Sequence, residues 1–303
     1  MKDFLTEDAF NSNLSADTKS FPSFVQIQVS NKCNAACSFC PYPYTEAKET
    51  YKLMNFDLYK KIILECKPNK VGQILPFFLN EPLLNKDLFK YIKFAKENSK
   101  AIVKIFTNGS LLDEKTADKL IESKIDQVIF SFNGSNKEDY ERLMKPLKFE
   151  QTRDRIVSFI NKCKERKNSS KPAPDLAVHV LKTGIDPKPI VDYFNKLHIA
   201  VHVLKYENRA GNVRDYDINP PLSEIKKVPC SRLLNQLYVL VDGRVILCCA
   251  DWNKEVILGD LNKQTISEVW NSPTRLEYVD AHMTGNFSMH LCDKCNFNEI
   301  KSD

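Results

Sequence analysis

The chain has 303 residues and a net charge of +5, from 44 lysines and arginines against 39 aspartates and glutamates. An apolar content of 43% and a charged content of 27% exclude a disordered or fibrous protein. The basic excess forms no concentrated arm, so nucleic acid is not an implied partner. No apolar run reaches the ~18 residues of a membrane span, so no membrane association is expected. The first ten residues, MKDFLTEDAF, carry acids where a secretory signal needs an apolar stretch. The expected compartment is therefore cytoplasmic, where thiols stay reduced.

In chain order, Phe24–Ser30 alternates apolar and polar residues as a half-buried strand does. Asn55–Cys66 has helical spacing, Gly72–Leu79 is an apolar run read as a strand, and Asp87–Asn98 is a second helix. Ala101–Thr107 and Gln127–Phe132 read as strands separated by a helix at Asp113–Ser123. Helical stretches at Lys137–Met144 and Glu150–Lys167 lead to a loop over Arg166–Asp175. Ala177–Lys182 and Ala200–Lys205 complete six strands, with a helix at Pro187–Leu197 between them. Six strands joined by helices predict an α/β fold with a parallel sheet and right-handed crossovers. The expected form is a partial (β/α)6 TIM-like barrel; periodicity does not separate it from a flat doubly wound sheet. Either form places ligands at the carboxyl ends of the strands. After Asn208 the pattern changes. Arg209–Pro229 is irregular, Asp242–Gly243 marks a β-hairpin between Leu237–Leu240 and Arg244–Cys248, and Thr265–Trp270 reads as a short helix. The expected division is an extension over 1–20, the barrel over 21–208 and a small tail over 209–303.

Of the ten cysteines, Cys66 and Cys163 stand alone in helical stretches and read as small buried hydrophobes. The other eight form two spaced sets, which in a reducing compartment argues for metal before disulfides. Cys33, Cys37 and Cys40 lie within eight residues, just past the first strand. Three thiolates leave one iron of a 4Fe–4S cubane without a protein ligand. A structural zinc site would want a fourth Cys or His, and none follows within ten residues. In the tail, Cys230, Cys248, Cys292 and Cys295 supply four thiolates, enough to saturate one centre, a cluster or a zinc ion. Cys249 competes with Cys248; strand alternation would let only one of them face the metal.

The CxxxCxxC of Cys33, Cys37 and Cys40 resembles the signature of the radical S-adenosylmethionine (SAM) superfamily. That resemblance implies a cluster whose open iron chelates the amino and carboxylate groups of SAM, and a 5′-deoxyadenosyl radical that abstracts substrate hydrogen. Leu79-Asn80-Glu81-Pro82 stands at a GGEP-like motif, which implies that Glu81, with Asn80, receives the SAM amino group. Leu79 and Asn80 replace the usual glycines. Thr107-Asn108-Gly109 and Ser131-Phe132-Asn133-Gly134 match TNG and S-x-D-G, except that Asn133 replaces an aspartate. They imply SAM contacts at Thr107, Asn108 and Ser131; on their own both are polar turns after strands. Phe39 either stacks on adenine or packs in the core. The spacing from Cys230 through Gly243 to Cys248 resembles the SPASM or shorter twitch extension, which implies one auxiliary 4Fe–4S cluster.

The compact layout is similar to the aminocyclitol dehydrogenases of this superfamily, which implies oxidation of a sugar-like or cyclitol alcohol with the auxiliary cluster as electron acceptor. The other readings are a maturase acting on a ribosomally made peptide, a sugar epimerase or dehydratase, and a metal-binding scaffold without activity. The implied partners are a small polar substrate or peptide and a flavodoxin- or ferredoxin-type donor. Arg209, at the end of the sixth strand, is the expected polar substrate contact, against a plain salt bridge at the domain joint. His179 and His202, inside strands, read as barrel histidines rather than catalytic bases.

Overall fold

A computed structural model describes residues 20–213 and 227–297. Apart from Ser20, the expected extension lies outside the described residues, as does Pro220–Pro221. The strands are β1 (Phe24–Ile27), β2 (Gln73–Leu75), β3 (Ile102–Thr107), β4 (Gln127–Ser131), β5 (Asp175–Leu181), β6 (Ala200–Leu204), β7 (Gln236–Val239), β8 (Arg244–Ile246) and β9 (Ile257–Asp260). The helices are α1 (Phe56–Cys66), α2 (Leu88–Asn98), α3 (Glu114–Glu122), α4 (Lys137–Leu143), α5 (Phe149–Asn168), α6 (Lys188–Lys196), α7 (Ser231–Asn235), α8 (Ile266–Trp270) and α9 (Pro273–Met283). Several starts are set by side-chain caps: Asn55, Asp113 and Asn136 each accept backbone N–H bonds from the first turn of α1, α3 and α4. The run Gly72–Leu79 yields a strand only over Gln73–Leu75, because Pro76 has no N–H to continue the ladder.

The strands form one open sheet in the order β6-β5-β4-β3-β2-β1-β7-β8-β9. Every pair from β6 to β7 is parallel, and β7–β8 and β8–β9 are antiparallel. The tail therefore continues the barrel sheet: β7 pairs with the free edge of β1, Gln26 opposite Tyr238. The expected hairpin turns at Gly243, whose φ of 93° suits glycine.

Register divides the sheet into two faces. Val25, Ile74, Val103, Val128, Val178 and Leu237 share one face, at 0 or 1% exposure, and belong to the same apolar core as helix residues Ile62, Ile92, Leu120 and Ile156. The other face carries Gln26, Gln73, Lys104, Phe106, His179 and His202. On it the rings of Phe106 (β3) and His179 (β5) lie 5.0 Å apart. Strands two positions apart in a flat sheet are separated by about 9.6 Å, so these side chains converge on a concave surface. The sheet is the open, curved parallel form.

The tail is anchored to α1. Lys61 donates to the carbonyls of Leu261 (2.9 Å) and Gln264 (2.6 Å), and Glu65 accepts from the Ile266 N–H (2.6 Å). Helix α9 was not expected, because its buried face includes Arg275 and His282 and blurs the helical pattern. Its start was legible in Ser272, which caps it, and Pro273 in the first turn. Arg275 is buried against Trp270, 3.3 Å from the ring, and donates to the carbonyls of Trp270 and Leu233.

Candidate active site

The first cysteine loop leaves the carboxyl end of β1 and is held by backbone bonds. Ala36 and Ser38 donate to the carbonyls of Lys145 (2.6 Å) and Leu143 (2.9 Å), and Cys33 N–H donates to the Tyr42 hydroxyl (2.9 Å). Asn34 ties the loop to the end of β3, donating to Ser110 and accepting from Asn108, each at 2.9 Å. Burial raises all three thiols; Cys33 is pushed up to about 12 by burial, then by Glu81 and Cys40, and Cys37 feels Cys40 and Cys33. Three adjacent buried thiols are poor company for one another as anions. A bound cationic centre would remove that penalty and release their protons.

Glu81 lies in the loop after β2, 2% exposed. Its carboxylate accepts from the Thr107 hydroxyl (2.6 Å), the Asn108 N–H (2.8 Å) and the Leu83 N–H (3.1 Å). Burial raises it to about 7, with the three hydrogen bonds opposing. Three donors use three of about four lone-pair sites and bring no positive charge, so an amino group fits this carboxylate. Leu79 has a φ of 53°, a left-handed conformation that favours glycine. Its side chain packs with Phe78, Tyr238 and Trp252, which offsets the strain. Asn80 accepts from Phe78 N–H and donates to Ser30, which secures the turn. Asn108 is engaged in linking loops, and Phe39 packs partly buried against the main core. Ser131 ends β4 on the concave face, opposite His179. Asn133 joins strand ends by accepting from Leu181 N–H (2.7 Å).

The second set assembles from three places in the tail. Cys230 precedes α7, Cys248 follows β8, and Cys292 and Cys295 follow α9. Burial raises Cys292 to about 12 and Cys295 to about 11; both feel Cys230, as Cys248 does. Cys33, Cys248 and Cys295 share one local geometry: each sulfur accepts, at 3.4 Å, the N–H two residues on (Ala35, Ala250 and Phe297). Such bonds favour thiolate and tune iron–sulfur centres. Among the described residues no three His, Cys, Asp or Glu side chains converge on a point that would hold a single ion.

Pleat alternation does not separate Cys248 from Cys249, because β8 ends at Ile246 and both lie in the turn beyond. Their surroundings do. Cys248 feels the Cys230 thiol, whereas Cys249 packs against the small apolar cluster of Tyr42, Phe78 and Tyr238 that Cys33 and Cys40 also pack against. A hydrogen bond from Cys248, then Arg232 and Arg209, hold the Cys249 thiol below its usual range. Cys249 thus shares an apolar cluster with Cys33 and Cys40 and a hydrogen bond with Cys248. Cys248→Ser is expected to lower iron from about eight to about four per chain, the content of one cubane, and Cys249→Ser to leave it near eight. Iron and sulfide assays after anaerobic reconstitution check this, and the reverse result would exchange the two roles.

Arg209 stands in a run of three left-handed residues, with φ of 50° at Arg209, 54° at Ala210 and 79° at Gly211. Its guanidinium donates to Glu207 (3.0 Å), which also accepts two bonds of 2.7 Å from Arg232. Burial would raise Glu207, but Arg232 and then Arg209 outweigh it and hold the carboxyl down at about 2. Asn208 donates to the Lys294 carbonyl (2.7 Å) and accepts from the Ala210 N–H (3.1 Å); its own N–H donates to Asn296 (3.0 Å), which fastens the segment after β6 to the Cys292–Cys295 turn. Arg209 is therefore both ion-paired and at the joint. Arg232 and Asn34 carry no local sequence signal, because their partners are remote in the chain.

An open parallel sheet carrying three clustered thiols and a cation-seeking carboxylate at its carboxyl end, with four further thiols alongside, defines an iron–sulfur enzyme with an incompletely ligated cluster. Family models agree: the Radical SAM superfamily matches residues 27–181, and an iron–sulfur cluster-binding domain, SPASM, matches residues 230–296. The chain belongs to the radical SAM superfamily. It is a radical SAM enzyme whose cofactors are SAM, a 4Fe–4S cluster and an auxiliary cluster. It is similar to the S-adenosyl-L-methionine-dependent 2-deoxy-scyllo-inosamine dehydrogenase of Niallia circulans, 24% identical over 284 residues, covering 93% of this chain and 95% of that protein. Among solved structures it resembles BtrN in complex with AdoMet and 2-DOIA (TM-score 0.61, 23% identity, 90% of this chain and 92% of that one). It also resembles Streptococcus suis SuiB bound to precursor peptide SuiA (TM-score 0.68, 16% identity, 86% and 67%). These likenesses show the fold. No helix among the described residues is long and apolar enough to cross a membrane.

Proposed function

We propose that the enzyme removes two electrons and two protons' worth of hydrogen from a secondary alcohol of a sugar-like or cyclitol substrate, giving a ketone. The supporting observation is the gathering of Cys230, Cys248, Cys292 and Cys295 at one place beside the barrel, a donor set that saturates a cluster. The near full-length likeness to a cyclitol dehydrogenase favours the same reading. When bound, SAM on the open cluster supplies hydrogen-atom abstraction, and the saturated cluster supplies an acceptor for the second electron.

The chain's own residues then have distinct tasks. Cys33, Cys37 and Cys40 hold the first cluster. Glu81, fixed by Thr107 and two backbone N–H groups, takes the amino group of SAM, and Ser131 faces the same end of the barrel. Arg209 stays a cation, since Glu207 raises it against the effect of burial. It is thus a hydrogen-bond donor that favours ionisation of a substrate oxygen, and not a base.

The test is a reconstituted, reduced enzyme given cyclitols deuterated at the carbinol carbon. One ketone per 5′-deoxyadenosine, with deuterium carried into the latter, is the expected outcome. Ketone without deuterium transfer, or 5′-deoxyadenosine formed only with a peptide, would remove the proposal.

A further inference from the structure

The concave face of the sheet holds a basic group that the reaction above leaves unused. Lys104, on β3, projects to this face between the rings of Phe24 (5.7 Å from the centroid) and Phe106 (5.9 Å). Beside it, His179 on β5 and His202 on β6 sit opposite one another in register, ring centroids 5.4 Å apart, because Ala177–Lys182 and Ala200–Lys205 are the same hexapeptide on neighbouring strands. His179 carries a buried Nε2 with no hydrogen-bond partner. Lys104 has no carboxylate partner among the described residues; Asp175, at the starting rim of the same face, is taken by Lys167 (2.7 Å). The carboxylates nearer the carboxyl ends are also engaged, Glu81 by three donors, Glu207 by two guanidiniums and Glu46 by Lys254 and Gln28.

A partly buried ammonium with no carboxylate partner among the described residues, and an unsatisfied imidazole nitrogen on the other side of Phe106, are both costly unless an anion arrives. We propose that the concave face binds an oxyanion of the substrate, a phosphate monoester or a carboxylate, at Lys104 and His179. Burial holds Lys104 down at about 8, so it is still mainly cationic at neutral pH. Burial, then His202 and Lys104, hold His179 at about 3, so its ring is neutral and offers one N–H. Aromatic walls on both sides keep water from screening the charge pair. An amine-bearing cyclitol of the kind the Niallia circulans relative is named for would meet like charge here. The inference deepens the alcohol-oxidation reading by naming the charge of its substrate, but its test needs no turnover, so either can fail alone.

The anaerobically reconstituted holoenzyme is titrated calorimetrically with inorganic phosphate and, separately, with acetate at matched ionic strength. Saturable binding of one of them is expected; the stronger of the two names the oxyanion class. Lys104→Gln is expected to weaken it by about tenfold or more, the loss of one charge-assisted hydrogen bond, and Lys104→Arg to restore most of it. In the wild-type protein, amine-selective labelling read by peptide mass is expected to slow at Lys104 when the anion is present. Heat from neither anion, equal binding by Lys104→Gln, unprotected Lys104, or phosphate displacing SAM from the wild type would each overturn the assignment. The last would place the anion in the seat of the cofactor's own carboxylate.

Discussion

Replacing Cys33, Cys37 and Cys40 together by alanine is expected to lower iron from about eight to about four per chain and to abolish 5′-deoxyadenosine formation from SAM under dithionite. The iron falls by half, and not to zero, because the two sets are independently built. The first rides on the β1 loop, pinned to Lys145, Leu143 and Tyr42. The second is assembled by α7, the β8 turn and the turn after α9. Removing buried thiols leaves no charged group stranded, since without metal their pKa values are raised and they are neutral. The variant should therefore fold and keep its auxiliary cluster. Iron near eight, or continued 5′-deoxyadenosine release, would show that the three thiols do not hold the open cluster.

Glu207→Ala is expected to be the most destabilising single change at the joint between barrel and tail. It removes the common partner of Arg232 and Arg209 and leaves the buried Arg232 guanidinium and the partly buried Arg209 guanidinium without a carboxylate. Breaking a fully buried pair costs about 3–5 kcal/mol; with Glu207 and Arg209 partly exposed the expected loss is at the lower end, about 3 kcal/mol, or roughly 6 °C in melting temperature at about 2 °C per kcal/mol for a chain of this size. The pH dependence has a definite sign. The folded carboxyl, held at about 2, lies below the unfolded value of about 4.3, so its stabilisation is complete above that value and fades as pH falls toward 2. The stability difference between wild type and Glu207→Gln should narrow over that acid window. A loss below about 1 kcal/mol at pH 7, or a difference that is flat with pH, would mean that the ion pair does not support the joint.

Cysteine spacing was legible because the chemistry is local: Cys33-x-x-x-Cys37-x-x-Cys40 wraps one loop whatever the remaining fold. The strand–helix alternation was legible for the same reason, since each strand shows its own periodicity. Glu81 stands out by its motif even though the glycines before it are missing, and the structure buries it among three donors. The structure explains the departure: Leu79 accepts a left-handed backbone because its side chain fills an apolar cluster with Phe78, Tyr238 and Trp252. Other features were out of reach. The choice between Cys248 and Cys249 was argued from a pleat that stops at Ile246. Arg232 lies 25 residues from Glu207, and nothing in either segment marks the pair. Helix α9 was hidden by its buried Arg275, whose partners, the carbonyls of Trp270 and Leu233, belong to other elements.

The amino-acid order by itself determined the repeating strand–helix units, the two thiol sets and hence the superfamily, because periodicity and ligand spacing are properties of short segments. Only the tertiary structure decided that β7 extends the barrel sheet along β1, that Cys249 packs on the same apolar cluster as Cys33 and Cys40, and that Lys104 shares a concave face with His179 and His202. Those facts depend on register and curvature, which bring together side chains from strands far apart in the chain, and no local pattern encodes that meeting.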